Sequence, residues 1–184
     1  QAAISENRDA IFRAPEDIVL GNPEGDVTVV EFYDYNCGFC KRAMADMVAL
    51  IDADPNVRFV LKEFPILGPD SLAAHRVAMS FRALAPEQYG EFHIKLLSDD
   101  VRATEDHAME LAKGFGVDEA ALKAGMDDPA IDQSIRQTYE LANALGISGT
   151  PSFVIGDEAV FGAVGQEVLL DKIANMRQCE STVC

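Results

Sequence analysis

The chain has 184 residues, of which 48% are hydrophobic, with 13 glycines and 8 prolines. This length and composition suit one folded domain, with room for an inserted lobe, and exclude an intrinsically disordered chain. The formal net charge of −16 argues against nucleic acid or an anionic membrane surface as a partner, because like charges repel. No apolar run approaches 18 residues, so we expect no insertion into a membrane.

The chain opens with a short extension and two predicted strands. Residues 1–15 form the N-terminal extension, in which Ser5–Phe12 is predicted as a short helix. Ile18–Gly21 is predicted as an edge strand, and a turn of glycine, asparagine and proline follows it. Val27–Tyr33 is then predicted as a buried strand, because it is rich in β-branched and aromatic residues.

A pair of cysteines lies where this buried strand gives way to a helix. Cys37 and Cys40 are separated by two residues, and the apolar period then becomes helical. The residues that recur along one face of the helix are Cys40, Ala43, Met44, Met47, Val48 and Ile51. We expect the helix to end at Asp54, because Pro55 disfavours a helical conformation for the residue before it. Two thiols in the first turn of a helix are placed for reversible disulfide chemistry.

The position of the pair predicts a different role for each sulfur. The unpaired N–H groups and the positive dipole end of the first helical turn favour an anion. Cys37 is therefore predicted to be the acidic, exposed nucleophile, and Cys40 the buried cysteine that resolves the mixed disulfide. No cation lies between them, so we expect the backbone to acidify Cys37 more than a neighbouring charge does. Gly38 would let the turn form, and Phe39 would add apolar surface that contacts substrate.

The same pair of cysteines has alternative interpretations. It could form half of a zinc site, a structural disulfide, or a binding module that holds Cu(I) between two thiolates. The remaining candidate ligands are Cys179, Cys184, His75, His93 and His107, and none stands at tight ligand spacing with another. We therefore predict a redox motif that needs no metal and no organic cofactor. The three histidines are predicted on helices, at the surface or partly packed.

Two charged residues interrupt the predicted strands. Glu31 lies in the strand that leads to the helix, and burial among Val, Phe and Tyr should raise its pKa. It could then exchange the proton that Cys40 gives or takes when the disulfide closes or opens. Lys62 interrupts the strand Val57–Glu63 and is predicted as the charge partner of Glu31. The alternative is that Glu31 lies at a strand end and faces water.

The rest of the chain is predicted as helices, then two strands and a last helix. Residues 67–145 form an inserted helical lobe, so residues 16–66 and 146–178 make up the sheet-bearing domain. The order β-β-α-β, helices, β-β-α predicts an α/β fold with a mixed central sheet. The last helix is expected from Gln166 to about Arg177.

A proline precedes one of these late strands. Pro151 follows Thr150 and comes directly before the strand Ser152–Ile155, where a residue without an N–H belongs at the first position. A cis bond between Thr150 and Pro151 would make a tight bend that presents backbone to a peptide, whereas an ordinary trans bond would lie in a loop.

The C-terminal tail, residues 179–184, begins and ends with a cysteine. Cys179 and Cys184 would close a short loop, and we expect a structural disulfide rather than two exposed free thiols. A structural disulfide favours an oxidising compartment.

Two segments together resemble a known family. V-V-E-F-Y-D-Y-N-C-G-F-C at residues 29–40 and G-T-P-S-F-V-I-G at residues 149–156 are similar to the DsbA-like branch of the thioredoxin superfamily. The resemblance extends over residues 16–178. It implies a thioredoxin-like fold with an inserted helical lobe, and a thiol-disulfide oxidoreductase that acts on secreted proteins.

The resemblance also assigns roles by position. The matching residues are Cys37 as the nucleophile, Cys40 as the buried cysteine, Glu31 as the buried acid, Thr150-Pro151 as the cis-proline loop and Lys62 as the lysine of the neighbouring strand. Two positions depart from the strongly oxidising members. Phe39 stands where those members carry histidine, and Thr150 is similar to the residue found in disulfide isomerases. A disulfide isomerase or reductase is therefore the alternative function.

The same resemblance implies a location and partners. We expect a mature periplasmic form, because Gln1-Ala2-Ala3 is followed by polar residues and no signal peptide is visible. The expected partners are cysteine-containing protein substrates and a membrane redox protein that recycles the dithiol. The oligomeric state stays open.

Overall fold

A five-stranded mixed sheet forms the centre of the protein in a computed structural model that describes residues 1–184. The strands are β1 Ile18–Gly21, β2 Val27–Tyr33, β3 Val57–Glu63, β4 Ser152–Ile155 and β5 Glu158–Phe161. Their spatial order is β1-β3-β2-β4-β5. Only β2 and β3 run parallel, and the other three pairs are antiparallel. The first three strands confirm the bounds predicted from the sequence.

Nine α-helices accompany the sheet. They are α1 Ala2–Glu6, α2 Arg8–Phe12, α3 Gly38–Ala53, α4 Pro69–Leu84, α5 Tyr89–Ser98, α6 Glu105–Gly114, α7 Glu119–Met126, α8 Pro129–Ala144 and α9 Gln166–Cys179. Asp54 is the C-cap of α3, as predicted from Pro55. None of the nine helices has both the length and the apolar content that crossing a membrane requires.

The N-terminal extension differs from the single helix predicted over Ser5–Phe12. The first helix begins at Ala2, and Asn7 separates it from the second. The Asn7 side chain donates a hydrogen bond to the Ala3 carbonyl at 2.8 Å, and such a local bond competes with helix continuation. The two helices bury Ile4, Ile11 and Phe12 against the sheet, so the extension is packed.

The alternation of side chains along each strand divides the core into two layers. On one face of the sheet, β2 contributes Val29 and Tyr33 to a core shared with α3, α9 and helices α4–α7. On the other face, Val30 and Phe32 pack with the N-terminal helices and the end of α8. Odd-numbered and even-numbered residues of β2 therefore lie on opposite faces of the sheet and in different layers of the core.

The segment predicted as a lobe, residues 67–145, contains α4 to α8. Its helices α4–α7 share one core with the sheet, and Phe81 and Phe92 stack there with ring centroids 4.2 Å apart. Leu141 and Ala142 of α8 belong to the second layer on the far side. The division into a lobe and a sheet-bearing domain stays a prediction, because one core runs through both.

Candidate active site

The two cysteines of the C-x-x-C motif meet at the N-terminus of α3. Cys37 is the N-cap residue, and its Sγ accepts a hydrogen bond from the Cys40 N–H at 3.1 Å. Both thiols are free. Cys40 is fully buried, whereas Cys37 keeps 6% of its surface exposed. The prediction of an exposed Cys37 is therefore wrong, because the segment around Thr150 covers it; the Cys37 thiol donates to the Thr150 carbonyl at 3.3 Å.

This geometry stabilises a thiolate at Cys37. A hydrogen bond from the Cys40 thiol is the largest cause that lowers the pKa of Cys37, to about 6, against the opposing effect of burial. A hydrogen bond from the Thr150 side chain and the N–H groups of Cys40 and Phe39 lower this pKa further. No charged side chain is among the main causes, as predicted, but the neighbouring thiol contributes more than the backbone does.

Cys40 has the opposite tendency. Burial, first of all, raises the pKa of the Cys40 thiol far above its ordinary value, and the hydrogen bond to Cys37 and the negative charge of Glu31 act in the same direction. A pair in which one thiol has a lowered pKa and the other a raised pKa is suited to disulfide exchange through Cys37. Cys40 is then protonated whenever the pair is reduced.

Glu31 lies in the same layer as the cysteines. It is 2% exposed, so the alternative that it faces water is wrong. Its Oε1 has no hydrogen-bond partner. Burial raises the pKa of Glu31 to about 8, and the negative charges of Cys37 and Asp46 add to the effect. A carboxyl group that titrates near neutral pH beside a buried thiol can exchange a proton with it.

Lys62 does not accompany Glu31. In the register of β2 and β3, Glu31 pairs with Leu61 and Lys62 pairs with Phe32. Because successive side chains of a strand point to opposite faces, Lys62 enters the second layer. There it forms an ion pair with Asp17 and donates to the Ala10 carbonyl at 2.8 Å. The predicted charge partnership is wrong, and the structure gives Lys62 no place in this site.

The loop before β4 completes the site. The Thr150–Pro151 bond is cis. The Pro151 carbonyl accepts a hydrogen bond from the Gly162 N–H at 2.9 Å, while Cys37 reaches Thr150 from the other side. The loop is thereby placed beside the nucleophile, at the start of β4.

Phe39 and Gly38 form the solvent-facing part of the motif. The Phe39 side chain is 58% exposed, and the Arg42 guanidinium lies 5.0 Å from its ring centroid. Gly38 is exposed, and an added Cβ would meet no atom within 4 Å. Its backbone does not adopt a positive φ, so the turn does not require glycine there. The predicted reason for Gly38 is therefore wrong, although an exposed apolar surface at Phe39 is present.

One carboxylate that sequence reasoning missed supports the loop before Cys37. Asp34 is fully buried and accepts hydrogen bonds from the main-chain N–H groups of Ile66 at 2.8 Å and Leu67 at 3.0 Å. It also accepts from the Ser71 hydroxyl and the Asn36 N–H, both at 2.8 Å. An aspartate directly after an apolar strand was the available signal, but Ile66, Leu67 and Ser71 lie 32 to 37 residues away and no local pattern indicates them.

The histidines also differ from expectation. His75 and His93 are buried at 0% and 1% exposure, so the prediction of surface or partly packed residues is wrong for these two. His107 is partly exposed and hydrogen-bonds Asp99 at 2.8 Å. Nowhere do three or more His, Cys, Asp or Glu side chains converge as ligands of one metal ion.

The remaining two cysteines lie at the end of α9. A disulfide joins Cys179 to Cys184 across a Cα–Cα distance of 6.1 Å. Both residues are exposed, and the tail between them is tied back by a 2.9 Å hydrogen bond from the Asn175 amide to the Thr182 carbonyl.

Known structures share this architecture. A thioredoxin-like oxidoreductase from Silicibacter pomeroyi DSS-3 is 46% identical, superimposes with a TM-score of 0.90, and is matched over 94% of this chain and 99% of that chain. The thiol-disulfide exchange protein alpha-DsbA2 from Wolbachia pipientis is 32% identical with a TM-score of 0.88, over 95% of this chain and 94% of that chain.

Curated relatives are more distant. Disulfide bond formation protein D of Bacillus subtilis is 25% identical over 152 residues, which are 77% of this chain and 68% of that protein. The chain also matches two Salinispora proteins described as Na(+)/H(+) antiporters, of which it spans only about a quarter of the length, 24% in each case. The family model described as the DSBA-like thioredoxin domain matches residues 28–174, which is most of the chain. The chain therefore belongs to the family of DSBA-like thioredoxin domains.

Proposed function

We propose that this protein is a thiol-disulfide oxidoreductase that exchanges disulfides with cysteine-containing proteins through Cys37 and Cys40. The observation that carries the proposal is the asymmetry of the pair. One sulfur at a helix N-terminus has a pKa lowered to about 6, and its partner is buried with a pKa raised far above the ordinary value. The names of the related proteins, which describe disulfide exchange and disulfide bond formation, support the same chemistry.

Oxidation of a substrate follows from this asymmetry in two displacements. A substrate thiolate attacks Cys37 Sγ of the oxidised pair, the Cys37–Cys40 bond breaks, and the electron pair goes to Cys40, which takes up a proton. Glu31 is the group placed to supply that proton. A second substrate thiolate then attacks the substrate sulfur of the mixed disulfide, and Cys37 leaves as a thiolate. Two substrate thiols have become a disulfide, and the enzyme pair is reduced.

The acidity of Cys37 favours the oxidising direction. A thiol with a lower pKa is a better leaving group, and stabilising its thiolate stabilises the reduced enzyme, which makes the oxidised enzyme a stronger oxidant. The lowered pKa of Cys37 therefore favours net oxidation of substrate thiols over the isomerase or reductase alternative. Continued turnover requires a second redox protein, and we place it in a membrane. We place the protein itself in the periplasm or an equivalent oxidising space, which suits the disulfide between Cys179 and Cys184.

Substrate would bind across the surface that surrounds Cys37. The main chain beside Thr150-Pro151 can pair with an extended polypeptide, and the exposed Phe39 ring offers apolar contact. Main-chain pairing tolerates many sequences, so we propose a broad set of protein substrates.

The decisive experiment is oxidative refolding of a reduced, denatured protein that contains native disulfides. The oxidised protein should restore native disulfides while its own pair becomes reduced, and its equilibrium with glutathione should lie on the oxidising side. If it instead rearranges scrambled disulfides better than it forms new ones, the isomerase alternative is correct. A titration of the reduced protein with Cu(I), repeated with Cys37→Ser, tests the binding-module alternative, which requires tight uptake that the variant loses.

A further inference from the structure

A buried polar cluster lies behind the loop that carries Cys37, and the exchange reaction does not use it. Its members are Tyr33, Tyr35, Glu63, His75, Tyr89 and His93. Each is at most 4% exposed. The cluster joins the ends of the parallel strands β2 and β3 to helices α4 and α5.

One contact in the cluster reaches the main chain next to the nucleophile. The Tyr35 N–H donates a hydrogen bond to His75 Nε2 at 3.2 Å. A backbone N–H can only donate, so Nε2 must carry no proton and the imidazole proton lies on Nδ1. Nδ1 faces Glu63 Oε2, which accepts that proton in a hydrogen bond. Glu63 thus selects the tautomer of His75 that can hold Tyr35.

The rest of the cluster surrounds the Glu63 carboxylate. Its Oε1 accepts from the Tyr89 hydroxyl at 3.3 Å, and that hydroxyl lies 3.2 Å from those of Tyr33 and Tyr35. The rings of Tyr33 and Tyr35 also flank His75, with centroids 5.3 and 4.6 Å from the imidazole. The carboxylate and the imidazole are therefore oriented from β2, β3 and α5 together.

The contact matters because of what the loop holds. Tyr35 lies two residues before Cys37, and the Cys37 N–H donates to the Asp34 carbonyl at 3.1 Å in the same turn. The position of this turn sets the distance from Cys37 Sγ to the Cys40 N–H, 3.1 Å, and therefore the strength of the hydrogen bonds that the sulfur accepts. Hydrogen bonds of this length weaken steeply when they lengthen or bend.

We infer that His75, oriented by Glu63, is a positioning residue: it anchors the Tyr35 main chain and so holds the Cys37 sulfur against the groups that stabilise its thiolate. The inference rests on the proposed function and deepens it, because it assigns part of the nucleophile's acidity to a residue of the lobe that does not touch the reacting atoms.

His93 provides a matched control within the same cluster. It is also a buried imidazole, and burial lowers the pKa of His93 to about 4, so His93 is neutral at physiological pH. It contacts the same tyrosine, but through the Tyr35 hydroxyl, 2.9 Å from His93 Nδ1, and not through the main chain. Loss of His93 removes a comparable side chain without releasing the loop.

The test compares four variants of the full chain. His75→Gln places an amide oxygen where Nε2 lies, and can still accept from Tyr35. His75→Asn places its amide where Nδ1 lies, so it can reach Glu63 but not Tyr35. His75→Leu removes both hydrogen bonds, and His93→Leu is the control. The measurements are the pH profile of alkylation of Cys37 and the equilibrium of the Cys37–Cys40 pair with glutathione.

We expect the Asn and Leu variants of His75 to raise the pKa of Cys37 by about half a unit or more, which is about a threefold loss of the thiolate-to-thiol ratio. The glutathione equilibrium should shift toward the oxidised protein by a similar factor. His75→Gln should keep both the pKa of Cys37 and the glutathione equilibrium close to those of the parent. His93→Leu should leave both quantities unchanged. The inference is overturned if folded His75→Asn behaves as the parent does, or if His93→Leu shifts both quantities equally.

Two further measurements keep the inference testable. If His75→Leu does not fold, the comparison of Gln with Asn decides. Nitrogen NMR of the unsubstituted protein should show an unprotonated His75 Nε2, and a protonated Nε2 would overturn the inference. None of these readouts needs a protein substrate. Failure of oxidative refolding by the parent protein would therefore defeat the proposed function and leave the role of His75 separately measurable.

Discussion

The two cysteine pairs of this chain lie at opposite ends of helices, and they differ accordingly. Cys37 caps the N-terminus of α3, where unpaired N–H groups and the positive dipole end stabilise an anion. Cys179 is the last residue of α9, where the carbonyl groups and Glu180 disfavour one. The first pair is buried against a layer of the core, and the second pair is exposed.

This contrast shows that the reactivity of a cysteine pair depends on its place in the fold and not on the presence of two sulfurs. The helix N-terminus, the neighbouring thiol and the Thr150 segment act only on Cys37. The C-terminal pair has a disulfide that closes a short tail, and its sulfurs lie 3.6 and 3.5 Å from the carbonyl oxygens of Ser181 and Asn175, which do not stabilise a thiolate. The predictions below test this contrast, beginning with the largest expected effect.

Removal of the nucleophile should show the largest difference in disulfide exchange between the two cysteine pairs. Cys37→Ser should reduce disulfide exchange by about three orders of magnitude or more, because a hydroxyl replaces the thiolate. The double variant Cys179→Ser, Cys184→Ser should keep the rate of disulfide exchange within about twofold of the parent. The two sulfurs that it removes contact only carbonyl oxygens and are not expected to act as nucleophiles. The rate of oxidative refolding measures both. Similar losses in the two variants would contradict the contrast.

The pH profile of Cys37 should reveal the lowered pKa directly. The alkylation rate of the reduced protein should rise with pH around an apparent pKa of about 6 and level off above it. Since this folded pKa is depressed, the thiolate adds stability to the reduced protein above the ordinary pKa of a thiol, and that stability is lost as pH falls toward 6. Cys40→Ala should shift the profile to higher pH, because it removes the thiol hydrogen bond that lowers the pKa of Cys37 most. An unshifted profile in this variant would assign the acidity to the Thr150 side chain and the backbone N–H groups.

The buried acid belongs only to the first pair, and removing its charge should stabilise the protein. Burial raises the pKa of Glu31 to about 8, so folding disfavours its ionised form, and the resulting cost grows as pH rises from the unfolded value toward 8. Glu31→Gln should therefore stabilise the fold at pH 7 by on the order of 2–3 kcal/mol and have little effect near pH 4. Thermal unfolding at the two pH values measures this.

The same Glu31→Gln variant should slow exchange at the step in which Cys40 changes its protonation. Glutamine keeps the size of the side chain and cannot supply a proton. Equal stabilisation at both pH values, or an unchanged exchange rate, would show that Glu31 does not titrate in the site.

The smallest effect should come from opening the C-terminal disulfide. Cys179 and Cys184 close a loop of six residues, so their bond is expected to contribute about 2 kcal/mol or less to stability. The double serine variant should show this loss in denaturant unfolding and keep the alkylation profile of Cys37 unchanged. A changed profile would indicate that the two ends of the molecule are coupled.

Local features of the fold were predictable because their causes are local. The β-branched and aromatic run identified Val27–Tyr33, and Pro55 set the end of α3 at Asp54. The change from a strand pattern to a helical apolar period placed Cys37 and Cys40 at the start of a helix, which is again a local signal. Each of these inferences depends on residues that are close along the chain.

Apart from the helix break at Asn7 and the reason given for Gly38, the errors concern contacts between distant segments. The facing of Lys62 depends on its register with β2, which puts it on the layer opposite Glu31. The burial of His75 depends on how α4 packs against the ends of two strands, and the partners of Asp34 lie in the segment that follows β3. No periodicity or spacing in the sequence contains these distances.

The sequence by itself determined the family resemblance, the redox pair and the strands around it, because helix-start chemistry and strand composition act within a few residues. Only the tertiary structure decided how acidic Cys37 is and what holds it. Its acidity depends on hydrogen bonds from the Cys40 thiol and from the side chain of Thr150, which is distant in the sequence, and the Tyr35 N–H of its loop donates to the imidazole of His75 in α4. Hydrogen bonds require atoms within about 3 Å, and only folding brings such distant groups together.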